Sequence, residues 1–199
     1  MNLIQPRQVR VLGIAPSTRG FGFAVLEGDH FLVDWGVKVV KGDKNARSLS
    51  SVANLVALYQ PNVIALEDCS APASRRSSRI QELVEQIVAV ASDQNIKVEK
   101  YSCIVFRHGG TKHAVAKNLA GRFPEELGFR LPQKRRPWMS EDYRMDMFDA
   151  VALAEHSLNS SESRAIQKEK RRLPVENRKP DAEMGGVAGM VRPEISDSK

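Results

Sequence analysis

Cysteine is nearly absent: Cys69 and Cys103 are the two in a chain of 199 residues. Two thiols build no disulfide framework, and these lack the spacing of a metal-ligand pair, so reduced thiols in a cytoplasmic protein are expected. The opening residues MNLIQPRQVRVLGI hold no apolar segment of signal or membrane-helix length, and Val11 to Ile14 is strand-sized. No internal repeat is present, so a solenoid is excluded. Neither sign of charge dominates: 30 Lys+Arg against 24 Asp+Glu leave a formal +6. That mild excess permits a nucleic-acid partner without requiring one. What is present is ordinary for a folded domain. The hydrophobic fraction of 42% and charged fraction of 27% exclude a wholly disordered chain. The length suits one domain, at most one with a tail.

Three strand signals come first. Val9 to Ile14 is an apolar run closed by the turn cluster Ala15 to Gly20. Phe21 to Leu26 alternates with glycine and alanine, Gly28-Asp29 makes the next turn, and Phe31 to Val40 follows. Short turns between them predict an antiparallel meander. Ser48 to Tyr59 has helical spacing and stops at Pro61; Val63 to Leu66 reads as a strand covered on both faces. A loop with Pro72 and Arg75-Arg76 precedes a helix over Arg79 to Ser92, striped by Ile80, Leu83, Val84 and Ile87. Ile96 to Tyr101 predicts a strand and Ala114 to Phe123 a short helix, with a basic, irregular stretch from there to Pro137. A last helix is expected from an N-cap at Ser140 to about Leu158. The order implies an α/β domain over 1–158 with a mixed sheet, and a polar, disordered tail over 159–199, transiently helical at most over Ala165 to Arg172.

Glu67 closes the fourth strand at its C-terminal end, where open α/β sheets place their ligand sites; the plainer reading is a solvent-facing carboxylate. Asp68, one residue on, points to the opposite face. Asp146 and Asp149 are three apart on the last helix and share a face. Their neighbours Met145, Met147, Phe148, Ala150 and Val151 are apolar, which speaks for burial rather than a solvated acidic stripe. A buried carboxylate requires a cation or a set of donors. Hard oxygen ligands suit Mg²⁺ or Mn²⁺, and three such groups could clamp metal across a phosphodiester. Glu141 and Asp142 are explained by the dipole of a helix first turn. Arg75, Arg76 and Arg79 are candidate phosphate contacts, as are Lys134, Arg135 and Arg136 ahead of Trp138. For that second stretch a solvated loop stapled by Trp138 is an equal reading. His108 and His113 read as structural, and Gly20 and Gly22 as permitting a tight hairpin.

The segment VLGIAPSTRGFGFAVLEG resembles the first hairpin of RuvC-type Holliday junction resolvases, in the ribonuclease H-like superfamily. VIALEDC resembles the family strand that ends in the catalytic Glu, and DMFDAVALAEH its closing helix with Asp-x-x-Asp-Ala. The stretch from Arg107 through Thr111-Lys112 looks like the basic loop before the penultimate helix. The likeness spans roughly Val9 to Leu158. It implies a ribonuclease H-like five-stranded mixed sheet with helices on both faces and a metal-dependent endonuclease chemistry. Glu67, Asp146 and Asp149 would be the metal ligands, Lys112 a further catalytic group and Arg107 a nucleic-acid contact. It also implies Mg²⁺ or Mn²⁺ as cofactor, branched or structured DNA as partner, and it admits a homodimer.

Two departures accompany the likeness. The family's first-strand Asp, which bridges both metals, is Ala15 here. Ser17 and Thr18 are poor substitutes, and Asp34 lies in the third strand. Either the chain has lost its chemistry or Ala15 is an inactivating substitution. The loop Cys69 to Arg76 lacks the aromatic that stacks into an opened junction. Three other readings remain: a non-catalytic DNA- or RNA-binding module, a ribosomal-RNA-processing nuclease of the same superfamily, and a fragment of an actin-like ATPase. The second is disfavoured because its fourth strand leads into a glycine-proline turn. The third requires two such domains around a nucleotide.

Overall fold

The computed structural model describes residues 8–28, 31–70 and 76–172, with side chains described to Ser161. Five strands form one sheet: β1 (Arg10–Ser17), β2 (Gly20–Glu27), β3 (Phe31–Val39), β4 (Val63–Glu67) and β5 (Lys97–Tyr101), in the order β3-β2-β1-β4-β5. β1, β2 and β3 pair antiparallel, while β4 runs parallel to β1 and β5 parallel to β4. Helices α1 (Lys44–Tyr59) and α2 (Ser78–Asp93) cover one face. The other carries α3 (Cys103–Phe106), α4 (Lys112–Arg122), α5 (Pro124–Leu127) and the start of α6 (Met145–Arg172).

The period-two alternation of β2 sorts its side chains between these layers. Phe21, Phe23 and Val25 pack with Leu12, Ile14, Ile64, Leu83 and Ile87 under α1 and α2. The small residues point the other way and admit α6. A Cβ on Gly13 would lie 2.1 Å from the Ala150 carbonyl oxygen, and one on Gly22 2.0 Å from that of Asp146. The helix therefore rests on bare backbone at two points, with Ala150 and Ala154 as its own small contacts.

Several boundaries differ from the sequence reading. β1 continues through Ala15, Pro16 and Ser17 instead of turning at Ala15. Its ladder with β4 ends at the Ile14–Leu66 pair, so beyond that point β1 is paired on its β2 side. Pro16 thus sits where its missing N–H withdraws nothing from the β4 side. α1 starts earlier, at an Asp43 cap whose carboxylate accepts from the Ala46 N–H at 3.1 Å. α5 occupies part of the stretch expected to be irregular. α6 starts at Met145 rather than after Ser140, because the Asp142 carboxylate takes the Arg144 N–H at 2.9 Å and shapes a turn ahead of the helix. It also runs past Leu158 to Arg172, through residues expected in the tail. Once nucleated by its apolar start, a helix propagates through Ala, Gln, Glu, Lys and Arg at little further cost. The compact units are Met1–Ser163 and Arg164–Lys199, and the rest of the expected tail, 173–199, lies outside the described residues. Among the described residues no helix is long and apolar enough to cross a membrane.

Candidate active site

Val63, Ala65 and Glu67 share the face of β4 that meets α6, as Val11, Gly13, Ala15 and Ser17 share that of β1. Ile14 pairs with Leu66, so the next residues along, Ala15 and Glu67, lie side by side just past the last pair of the β1–β4 ladder. α6 crosses above them with its first two turns and brings Asp146 and Asp149. The three predicted carboxylates therefore do meet in one region, around a position where Ala15 offers only a methyl, 1% exposed.

Two of them, Glu67 and Asp149, take their counter-charge from within the chain. Glu67, 6% exposed, accepts a charge-assisted hydrogen bond from the Arg76 guanidinium. Asp149, 3% exposed, is gripped twice. Arg107 donates to both its oxygens, from Nε at 3.1 Å and Nη2 at 2.9 Å, and Lys112 Nζ lies 2.9 Å from Oδ2. The Arg76 guanidinium also lines one cleft with Lys112, Glu141 and Asp146. Asp146 is half-buried and lines that cleft with Ser17, Arg76 and Lys112. Its carboxyl is raised above the ordinary value by burial first, with Ser17 and Lys112 opposing and the neighbouring Asp149 and Glu141 charges adding to the rise. Burial pulls the Lys112 ammonium down, but Asp149 and then Glu141, 3.0 Å away, more than offset it and leave it raised.

Lys112 opens α4 directly after the Thr111 cap, a position where the helix dipole disfavours a cation. The two carboxylates hold it there against that field. Arg107 is aimed by the end of α3, where His108 and Gly109 take positive φ values of 48° and 71° and turn the chain back.

Several expectations change accordingly. Arg107 serves as the fork on Asp149 rather than as a free phosphate contact, with its side chain 14% exposed. Arg79 is spent on structure as well: it donates to the Ser17 carbonyl at 2.9 Å and to Asn45 Oδ1 at 3.0 Å, tying β1 to α1 and α2. Arg76 is an ion-pair partner of Glu67. Arg75 lies outside the described residues. Lys134, Arg135 and Arg136 are exposed, as a nucleic-acid contact requires. Glu141 and Asp142 precede the helix, so its dipole does not account for them. Glu141 bonds Lys112, and Asp142 is held below its ordinary range by the Arg144 side chain at 2.7 and 3.0 Å. His113 Nε2 lies 3.2 Å from the Pro132 carbonyl, a structural contact. Sequence reasoning passed over Ser17 as a poor ligand, although its place two residues past Ala15 puts it on the same strand face. A cleft of about 260 Å³ opens beside these groups, lined by Ser17, Arg19, Arg76, Lys112, Glu141 and Asp146.

The side chains as arranged do not fit a divalent-metal pair. Among the described residues no group of three His, Cys, Asp or Glu converges on a metal-sized point. Two of the three carboxylates already have their counter-charge from the chain, and Ala15 beside Glu67 offers no ligand atom.

A β3-β2-β1-β4-β5 sheet with an antiparallel meander, two parallel strands and carboxylates where a final helix crosses the strand ends is the ribonuclease H-like fold. Within that class, the chain has the fold of the RuvC-type resolvases. RuvC of Thermus thermophilus in complex with a Holliday junction substrate superposes with a TM-score of 0.59 at 18% identity, over 78% of this chain and 96% of that one. The yeast mitochondrial Holliday junction resolvase gives 0.57 at 16% identity, over 86% and 87% of the two chains. The fowlpox virus resolvase in complex with substrate Holliday junction DNA gives 0.51 at 15%, over 75% and 99%. At these identities the likeness is one of fold. No protein-family model matches the chain, and no curated protein matches it in sequence.

Proposed function

We propose that the chain is a RuvC-like binder of branched DNA in which an internal ion-pair network stands where a crossover junction resolvase would hold its metals. It therefore engages its substrate without cutting it. The fold shared with resolvases solved on Holliday junction DNA supports the substrate class. The observation that carries the loss of chemistry is the ion pair of Arg76 with Glu67, next to the strand position that Ala15 fills with a methyl. Two-metal hydrolysis needs ions held roughly 3.5–4 Å apart by ligands that bridge them. Here the bridging group is absent, and a metal would have to expel a hydrogen-bonded guanidinium from Glu67. The free thiols of Cys69 and Cys103 agree with a cytoplasmic setting.

The deciding assay is cleavage of labelled linear, flapped and four-way DNA and RNA in Mg²⁺ and in Mn²⁺, with gel-shift binding in parallel. Four-way DNA should be bound and left intact by the chain as it stands. Ala15→Asp alone and combined with Arg76→Ala should bind Mn²⁺ progressively better, and the double variant should nick. Metal-dependent turnover with Ala15 in place would falsify the loss of chemistry; absence of binding to any branched substrate would remove the substrate class.

A further inference from the structure

The ion-pair network uses Arg76, Lys112 and Arg107, but it leaves the basic stretch ahead of α6 untouched. Lys134, Arg135 and Arg136 are exposed there, and Trp138 is 76% exposed, so it does not staple the helix. The ring is held in a defined way. A turn over Arg136 to Met139 is closed by the Met139 N–H on the Arg136 carbonyl at 3.0 Å, with Pro137 and Trp138 at its tip. Proline at that position fixes the turn's backbone in advance. The Arg136 guanidinium lies 5.7 Å from the centre of the Trp138 ring, a cation–π contact that supports the ring from within the turn.

A groove of about 400 Å³ continues from Lys134 and Arg135 past Pro132 and Met145 to Lys112. Pro132 and Met145 give it an apolar floor, Lys134 and Arg135 make its near end cationic, and at its far end Lys112 meets Glu141 and Asp142, with the lysine ion-paired to Asp149 and Glu141. An anionic strand bearing flat apolar bases is the ligand chemistry complementary to such a surface. A solvent-exposed tryptophan on a rigid turn has no folding role that would keep it out of the core. The loop after Glu67 carries no aromatic residue, so it presents no ring of its own to a base.

We propose that Trp138, backed by Arg136, is a stacking platform for an unpaired base of a nucleic-acid strand, whose phosphates follow Lys134 and Arg135 along the groove toward Lys112. The assignment rests on the reading of the chain as a binder of branched DNA. It adds how the branch point is told from a duplex: only unstacked bases have a face free for the ring.

The test is fluorescence anisotropy with a labelled four-way DNA junction and a duplex of matching arm sequence, each titrated across salt concentrations. Trp138→Ala should weaken junction binding about tenfold, leave duplex binding and the salt slope unchanged, and erase the junction preference. Trp138→Phe should keep most of that preference. Lys134→Ala and Arg135→Ala should each lower the logarithmic salt slope by about one and weaken both substrates alike. Because these side chains are exposed, thermal melting should match the parent for every variant and so exclude misfolding. Junction binding unaffected by Trp138→Ala while the lysine and arginine variants weaken it overturns the platform and spares the branched-DNA reading. Failure of the parent chain to bind the junction overturns both.

Discussion

Of the three site carboxylates, Asp146 is the one whose carboxyl is raised above the ordinary 3.8, by burial first and by the neighbouring Asp149 and Glu141 charges. A carboxyl that holds its proton more tightly in the folded chain than in the unfolded one opposes folding once ionised. The stability lost this way is absent below about pH 3.8 and accrues as pH rises through the raised value. Asp146→Asn removes the disfavoured charge at nearly the same volume and should therefore melt higher than the parent at pH 7, with the gain vanishing near pH 3; melts across pH 3–7 check this, and an equal midpoint at pH 7 would contradict it. Asp149 has the opposite character, since its charge is balanced. Removing one of its cations by Lys112→Met leaves the Arg107 fork in place and should cost about 1–3 kcal/mol. Arg107→Met removes two hydrogen bonds and should cost more, about 3–5 kcal/mol for a carboxylate left buried. Urea titrations establish the order.

At the level of elements, the site is a seam between two strand ends and one helix, and the seam is set by missing methyl groups. Gly22→Ala would place a Cβ 2.0 Å from the Asp146 carbonyl oxygen and must lift the start of α6. A loss of about 1–3 kcal/mol is expected from such overpacking, read by denaturation, together with a shift in the Asp146 titration followed by NMR. Much of this seam was legible in the sequence. Alternation in GFGFAV named the hairpin, the apolar run before Glu67 marked the strand end, and the apolar company of Asp146 and Asp149 marked a buried helix. The counter-charges were not legible. Arg107 lies 42 residues before Asp149, and only the turn at His108 and Gly109 decides where its fork points. Nor does the sequence say that Pro16 continues a strand, because that depends on β4 stopping short of it. The helical run beyond Leu158 was hidden for another reason: its polar composition resembles a disordered tail, while its continuity with α6 removes the cost of nucleation.

For the whole molecule, internal counter-charges imply stability that does not depend on divalent ions. A chelator should leave the melting midpoint of the parent chain unchanged, and saturating Mn²⁺ should not raise it. The Ala15→Asp, Arg76→Ala double variant should gain, by about 2.7 kcal/mol at a hundredfold excess over its dissociation constant. Calorimetric scans with and without metal measure both. Truncation after Ser163 keeps the first compact unit entire and should move its midpoint by no more than about 3 °C. The two glycines beneath α6 carry a further consequence. Where Gly13 and Gly22 lack Cβ atoms, the carbonyls of Ala150 and Asp146 rest on the sheet's own backbone. The elevation of the helix is thus gauged by the thickness of a peptide chain, and with it the height at which Asp146 and Asp149 stand over the sheet. Exchanging core side chains elsewhere leaves that height unchanged, so the spacing of the site is insulated from repacking of the layers on either side.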